Sequence, residues 1–125
     1  MPADSRLERA VPFSLMGPDL VLRFTTADLV TLSQTYKTKD RLWHDEIEHR
    51  LNELDSELIA DALKLGLKGP GGFDRPTGLD FKDLPFGLVE AVRPLADAIA
   101  CAITGRSYAS LVQEREAVSA AASAE

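Results

Sequence analysis

The chain has 125 residues, of which 45% are hydrophobic and 27% are charged, and its formal net charge is −6. This length and composition predict one globular domain and exclude a disordered chain. The acidic balance argues against sequence-independent nucleic-acid binding, the one cysteine excludes an internal disulfide, and no apolar stretch approaches the roughly 20 residues of a membrane span.

A β-hairpin is predicted near the N-terminus, after a polar segment, 1–10, that we expect to be frayed. Two short apolar segments flank the turn-forming sequence Gly-Pro-Asp at 17–19, and side chains after this turn alternate between apolar and polar. The hairpin spans 11–24, with strands at about 11–15 and 20–24. Because an isolated hairpin is only marginally stable in water, it must pack against other elements or pair with another chain.

Apolar residues at helical spacing follow the hairpin and predict helices at about 26–37, 40–54 and 56–65. Thr25 and Thr26 offer a cap to the first of these helices, and Asp28 lies favourably in its first turn. Tyr36 and Trp43 lie at helical spacing from leucines, so we expect both side chains to belong to the core.

The boundary between the second and third predicted helices is open. Asp55 or Ser56 can cap the third helix, which favours two separate helices. The apolar stripe, however, continues from Leu54 to Leu58, which favours one bent helix.

A Gly-rich loop is predicted over 66–80, because the segment from Lys68 onward holds four glycines and two prolines. The loop follows a predicted helix and lacks the Gly-Lys-Ser/Thr ending of a phosphate-binding loop, so we interpret it as a linker. Phe73 lies in its middle, where an apolar ring gains from docking on the core or on another protein.

The strongest apolar stripe predicts a central helix over 84–104. Asp83 is the start signal just before this helix, and Gly105 is the stop signal just after it. Val89, Ala96 and Ala100 widen this stripe, whose main members are Leu88, Val92, Leu95, Ile99 and Ile103. The fold class is therefore α+β and mostly α, with a short N-terminal β-hairpin packed on a bundle of three to four helices. The globular domain spans 11–105, and a flexible or partly helical tail, 106–125, follows it.

The titratable residues offer no catalytic or metal-binding arrangement. His44 and His49 are five residues apart, which rotates them roughly 140° from each other on a helix, so we interpret them as part of a solvated face. Cys101 lies within the central stripe and is expected to pack as a small apolar side chain. We therefore assign no catalytic residue, no cofactor and no metal ligand, and we predict that the protein is not an enzyme.

The order of the elements resembles the small tail assembly chaperones of siphophages and gene transfer agents. In that family a short hairpin with a glycine turn and an apolar-basic-apolar-Thr sequence precedes a leucine-bearing helix. The counterparts in this chain are Gly17, Leu22, Arg23, Phe24, Thr25, Thr26, Leu29 and Leu32. The resemblance covers about 11–104. This chain departs from the family at Ser33-Gln34, where a glutamate often follows the leucine pair, and in the loop from Lys68 to Asp80, which is longer than the family pattern leads us to expect.

The resemblance implies a cytoplasmic protein of a bacterial host that binds the tail-tube or tape-measure protein during tail morphogenesis. We expect the partner-binding residues to be Leu22, Arg23, Phe24 and Phe73, because an unpaired hairpin edge and an exposed ring can both accept a partner. A second copy of the chain is another partner consistent with such an edge, whereas nucleic acid and membrane are not expected. The alternative is a small regulatory protein-binding module such as an antitoxin.

Overall fold

The computed structural model describes residues 7–123, which contain five α-helices and three two-residue strands. The helices are α1 (Thr26–Tyr36), α2 (Trp43–Asn52), α3 (Ser56–Gly66), α4 (Leu88–Thr104) and α5 (Tyr108–Ser123). The strands are β1 (Val11–Pro12), β2 (Val21–Leu22) and β3 (Leu67–Lys68), and a short 3₁₀ helix, Leu7–Arg9, precedes β1. The predicted α+β, mostly helical fold class is thereby confirmed.

The three strands form one antiparallel sheet in the order β1-β2-β3. Leu22 of β2 pairs with Val11 on one side and with Leu67 on the other. The sequence correctly predicts the hairpin but gives it strands that are too long. It also misses β3, which lies inside the predicted loop 66–80, because two residues cannot show a period-2 pattern.

Side-chain caps explain where α1 and α3 begin. Thr25 Oγ1 accepts a hydrogen bond from the Asp28 N–H, and the Asp28 carboxylate accepts one from the Thr25 N–H, each over 3.0 Å. The Asp55 carboxylate accepts hydrogen bonds from two backbone N–H groups in the first turn of α3.

The backbone leaves the helical region between α2 and α3. Leu54 has a φ of 57°, just before the Asp55 cap. α2 and α3 are therefore two helices rather than one bent helix.

The central helix, α4, begins at Leu88 and not at 84. The Glu90 carboxylate accepts a hydrogen bond from the Gly87 N–H over 2.8 Å. This hydrogen bond places the first turn of the helix at Leu88, four residues later than the start that Asp83 predicts. The helix continues through Pro94, and Gly105 ends it with a φ of 77°, in the left-handed region that glycine adopts without strain.

The buried face of α4 joins the other elements into one core. Its buried residues are Ala91, Leu95, Asp97, Ala98, Ile99 and Cys101. Four of them, Ala91, Leu95, Ala98 and Ile99, pack in one core with apolar side chains from the sheet and from α1, α2 and α3. The sequence places Val89 and Ile103 within or beside this stripe, but they are 67% and 46% exposed. The stripe is therefore shorter than predicted, and α4 carries additional apolar side chains outside the core.

The termini contain more regular structure than the sequence predicts. α5 occupies most of the predicted tail, 106–125, and Arg115 on α5 binds the buried Asp97 on α4 over 2.6 Å. At the other end, the 3₁₀ helix lies within the segment 1–10 that we expected to be frayed, and 1–6 lie outside the described residues.

Candidate protein-binding surfaces

Leu22 and Phe24, two of the residues expected to bind a partner, lie in the core. Leu22 is completely buried on the central strand, and Phe24 is almost completely buried. A Cβ atom added to Gly66 would lie 2.6 Å from the Phe24 ring, so this ring packs directly on the backbone of α3. This corrects the sequence-based assignment, because the alternating pattern that predicts β2 also buries its apolar side chains.

Arg23 and Phe73, the other two expected residues, contact each other. The Arg23 guanidinium lies 4.9 Å from the centroid of the Phe73 ring, and its Nε donates a hydrogen bond to the carbonyl oxygen of Gly72 over 2.7 Å. Arg23 is buried, whereas Phe73 is 44% exposed. Of the four expected residues, only Phe73 therefore offers substantial surface to a partner, and Arg23 holds it in place.

An ionic cluster around the buried Asp28 carboxylate, which the sequence pattern does not predict, fixes the Gly-rich loop nearby. The Asp28 carboxylate accepts hydrogen bonds from Lys68 over 3.2 Å and from Arg75 over 3.1 Å. Burial lowers the pKa of Lys68, and the Asp28 carboxylate opposes that shift. Lys68 is thus a structural residue of β3 and not part of a solvated linker. The sequence signal for this role is weak, because a lysine beside glycines is typical of exposed loops.

An apolar groove of about 500 Å³ lies between α2 and α4. From α2 it is lined by the buried Ile47 and Leu51 and by exposed polar side chains, which are His44, Glu48 and Asn52. The apolar residues that line it from α4 are Val92, Ala96, Ile99, Ala100 and Ile103. Ala96 and Ala100 are one helical turn apart, so their short side chains leave space along the middle of the groove. The sequence places both alanines beside the main apolar stripe of α4, and the structure adds the second wall, α2.

Charged side chains lie beside the apolar lining of the α2–α4 groove. Asp97 is held by Arg115, and His44 lies 3.7 Å from the Asp45 carboxylate. Glu48 on α2 and Arg93 on α4 are exposed and, among residues 7–123, form no ion pair with each other or with another side chain. The groove therefore presents one uncompensated charge of each sign.

The two histidines and the cysteine do not form a reactive centre together. His44 and His49 are both partly exposed and lie near the carboxylates of Asp45 and Glu53 respectively. Cys101 is buried, and burial raises the pKa of its thiol, which disfavours the reactive thiolate. Within the described range, no three His, Cys, Asp or Glu side chains lie close enough together to hold a metal ion.

Comparison with known proteins gives no relative from which to transfer a role: no protein-family model, no curated protein and no solved structure matches this chain. Among residues 7–123 there is also no helix with the length and apolar character needed to span a bilayer. The surfaces described above are therefore the basis for a functional proposal.

Proposed function

We propose that the chain is a non-enzymatic assembly chaperone or adaptor of a phage-like tail that binds the tail-tube or tape-measure protein. The observation that carries this proposal is the α2–α4 groove. Protein interfaces combine an apolar centre that excludes water with a polar rim that sets orientation. The groove offers both, since apolar side chains line it on two helices and Glu48 and Arg93 lie beside them.

The resemblance to tail assembly chaperones supports the same proposal through architecture. The residues that carry it, such as Leu22, Phe24 and Thr25, bury the hairpin and cap α1. They thus serve the fold, and a hairpin followed by a capped helix is the arrangement that the resemblance implies. The partner-binding surface then lies elsewhere, on the groove, with Phe73 as a separate exposed apolar contact.

A pair of exposed α4 residues allows a matched test of the groove. Ile103 is 46% exposed and lines the groove, whereas Val89 is 67% exposed on the same helix and does not line it. The full chain is co-expressed with any tail-tube and tape-measure proteins encoded beside it, and complexes are isolated by size exclusion. Ile103→Ser should weaken the complex about tenfold, because it removes most of an apolar side chain from the interface. Val89→Ser should leave the affinity unchanged.

The outcomes separate the role from the position of the site. If no neighbouring tail protein forms a complex, the chaperone proposal fails. A complex that both variants form with parental affinity would retain the chaperone role and exclude the groove as its binding surface. Stable binding to a neighbouring toxin instead of a tail protein would favour the antitoxin alternative.

A further inference from the structure

The shape of the α2–α4 groove restricts what can occupy it. Apolar side chains of α4, with the short Ala96 and Ala100 in the middle, form one wall of a concave surface. The other wall is α2, where the buried Ile47 and Leu51 lie between exposed polar side chains. A convex rod fits such a surface better than a flat sheet face or a second groove does. An amphipathic α-helix with apolar residues at i, i+4 and i+7 is the protein element with that shape and chemistry.

The described helices of this chain do not offer such a rod to a second copy. A helix that filled the groove would need a stripe of large exposed apolar side chains. Val30 is the one strongly exposed large apolar residue on α1, and Val118 is the one on α5. α4 has two, Val89 and Ile103, but they lie near its opposite ends. The described surface thus favours a helix from a different protein.

The uncompensated charges specify the polar flanks of that helix. Glu48 and Arg93 belong to opposite walls, and neither has an ion-pair partner within 7–123. We infer that the groove binds an amphipathic α-helix of the partner protein, with a basic residue on one flank of its apolar stripe and an acidic residue on the other. This inference rests on the proposed function only in taking the occupant to be part of a protein partner.

Three synthetic peptides test the inference without any tail protein. Each has about 18 residues, a capped helical sequence and the same leucine stripe. The mixed peptide has glutamate on one flank of the stripe and lysine on the other, the all-glutamate peptide has glutamate on both flanks, and the all-lysine peptide has lysine on both. Compensating charges on the outward face keep the net charge of all three peptides at zero. Fluorescence anisotropy with the full chain measures the affinities. The mixed peptide should bind about fivefold more tightly than the other two, because each of those replaces one rim ion pair with a contact between like charges.

Charge-reversed variants of the chain should change this order in a defined way. Glu48→Lys should bind the all-glutamate peptide best, and Arg93→Glu should bind the all-lysine peptide best, because both walls then carry one sign. The matched controls are Glu116→Lys on α5 and Lys64→Glu on α3, both exposed and outside the groove. They change the net charge by the same amounts and should keep the parental preference for the mixed peptide.

Two results would overturn the inference. One is the absence of binding of any peptide at millimolar concentration; the other is an affinity order that stays the same in the parent, Glu48→Lys and Arg93→Glu proteins. The proposed function is judged separately by the complex with tail proteins. If the peptide order changes as expected and no tail protein binds, the groove is a helix-binding site of a protein with a different role.

Discussion

The ammonium group of Lys68 lies 3.2 Å from a carboxylate oxygen of Asp28, and their side chains are only 3% and 4% exposed. This ion pair connects β3 to the first turn of α1 across 40 residues of sequence. Arg75 extends the connection to the Gly-rich loop. Burial lowers the pKa of Lys68, and the Asp28 carboxylate favours its charged form, so loss of the carboxylate alone would leave a buried charge without its partner.

Removing the charge of Asp28 should therefore lower the free energy of unfolding substantially. Asp28→Asn keeps the size of the side chain but leaves the buried Lys68 without its counter-ion. We expect a loss of about 3–5 kcal/mol in the free energy of unfolding, measured by urea denaturation near pH 7. Combining it with Lys68→Met should restore part of the loss, because the double variant buries no unpaired charge. The control is Asp74→Asn on the exposed loop, which should cost less than about 0.5 kcal/mol.

The stability loss of Asp28→Asn should change with pH in a defined direction. Because the folded-state pKa of Lys68 lies below its unfolded value, the unfolded state binds more protons just below that value, and stability rises with pH there. Losing the Asp28 carboxylate lowers the folded pKa of Lys68 further, so the deficit of Asp28→Asn should shrink as the pH rises from neutral toward the unfolded pKa of Lys68. A deficit that is constant over this range would exclude an unpaired Lys68 charge as its cause.

Local chemistry explains the parts of the fold that the sequence predicts correctly. Thr25 and Asp55 accept the backbone N–H groups of α1 and α3, and Gly105 ends α4 in a left-handed conformation. Each of these features depends on residues within a few positions of one another. Caps and helical periodicity therefore identify the helices from the sequence, apart from the start of α4, where Gly87 and Glu90 compete with the Asp83 signal.

Contacts between distant segments explain the parts that were not predicted. β3 forms because Leu67 pairs with Leu22, and neither residue carries a local signal for that register. The α2–α4 groove depends on the relative placement of two helices, which periodicity does not determine. A hint of it is present in α4 itself, where Ile103 adds an exposed apolar side chain to the face that carries Ala96 and Ala100. An excess of this kind is typical of a helix with a second contact face.

Gly66 should be intolerant of a side chain. A Cβ atom there would lie 2.6 Å from the buried Phe24 ring, so Gly66→Ala must displace either the ring or α3. We expect a loss of about 1–3 kcal/mol by chemical denaturation. Gly71→Ala is the matched control, because no atom lies within 4 Å of its added Cβ, and it should be close to neutral. Equal stabilities of the two variants would show that the Phe24–Gly66 contact is not tight.

Leu95 tests which face of α4 belongs to the core. It is completely buried, so Leu95→Ala should cost about 2–5 kcal/mol in the free energy of unfolding through lost burial and a residual cavity. Val89→Ala on the exposed face of the same helix should change it by less than about 0.5 kcal/mol. Thermal and urea denaturation of the two variants measure this difference. If Val89→Ala were the more destabilising change, the face of α4 that carries Val89 would belong to the core instead of the face that carries Leu95.

Tyr36 should make the fold sensitive to alkaline pH. Its hydroxyl donates a hydrogen bond to the Asp61 carboxylate over 2.6 Å, and burial, followed by that carboxylate, raises the pKa of the phenol. Near neutral pH, Tyr36→Phe should lose about 1–2 kcal/mol in the free energy of unfolding, because the hydrogen bond is absent.

The pH dependence of that loss identifies its cause. A folded-state pKa above the unfolded value contributes stability that is fully present below the unfolded pKa of Tyr36, near 10, and is lost as pH rises above it. The gap between the parent and Tyr36→Phe should therefore narrow between about pH 9 and pH 11 in urea denaturation. Burial also raises the pKa of the Cys101 thiol, but this group is present in both proteins and cancels in the comparison. Parallel stability curves over this range would mean that the Tyr36 phenol ionises equally easily in the folded and unfolded chain, and the Tyr36–Asp61 hydrogen bond would then not account for the loss at neutral pH.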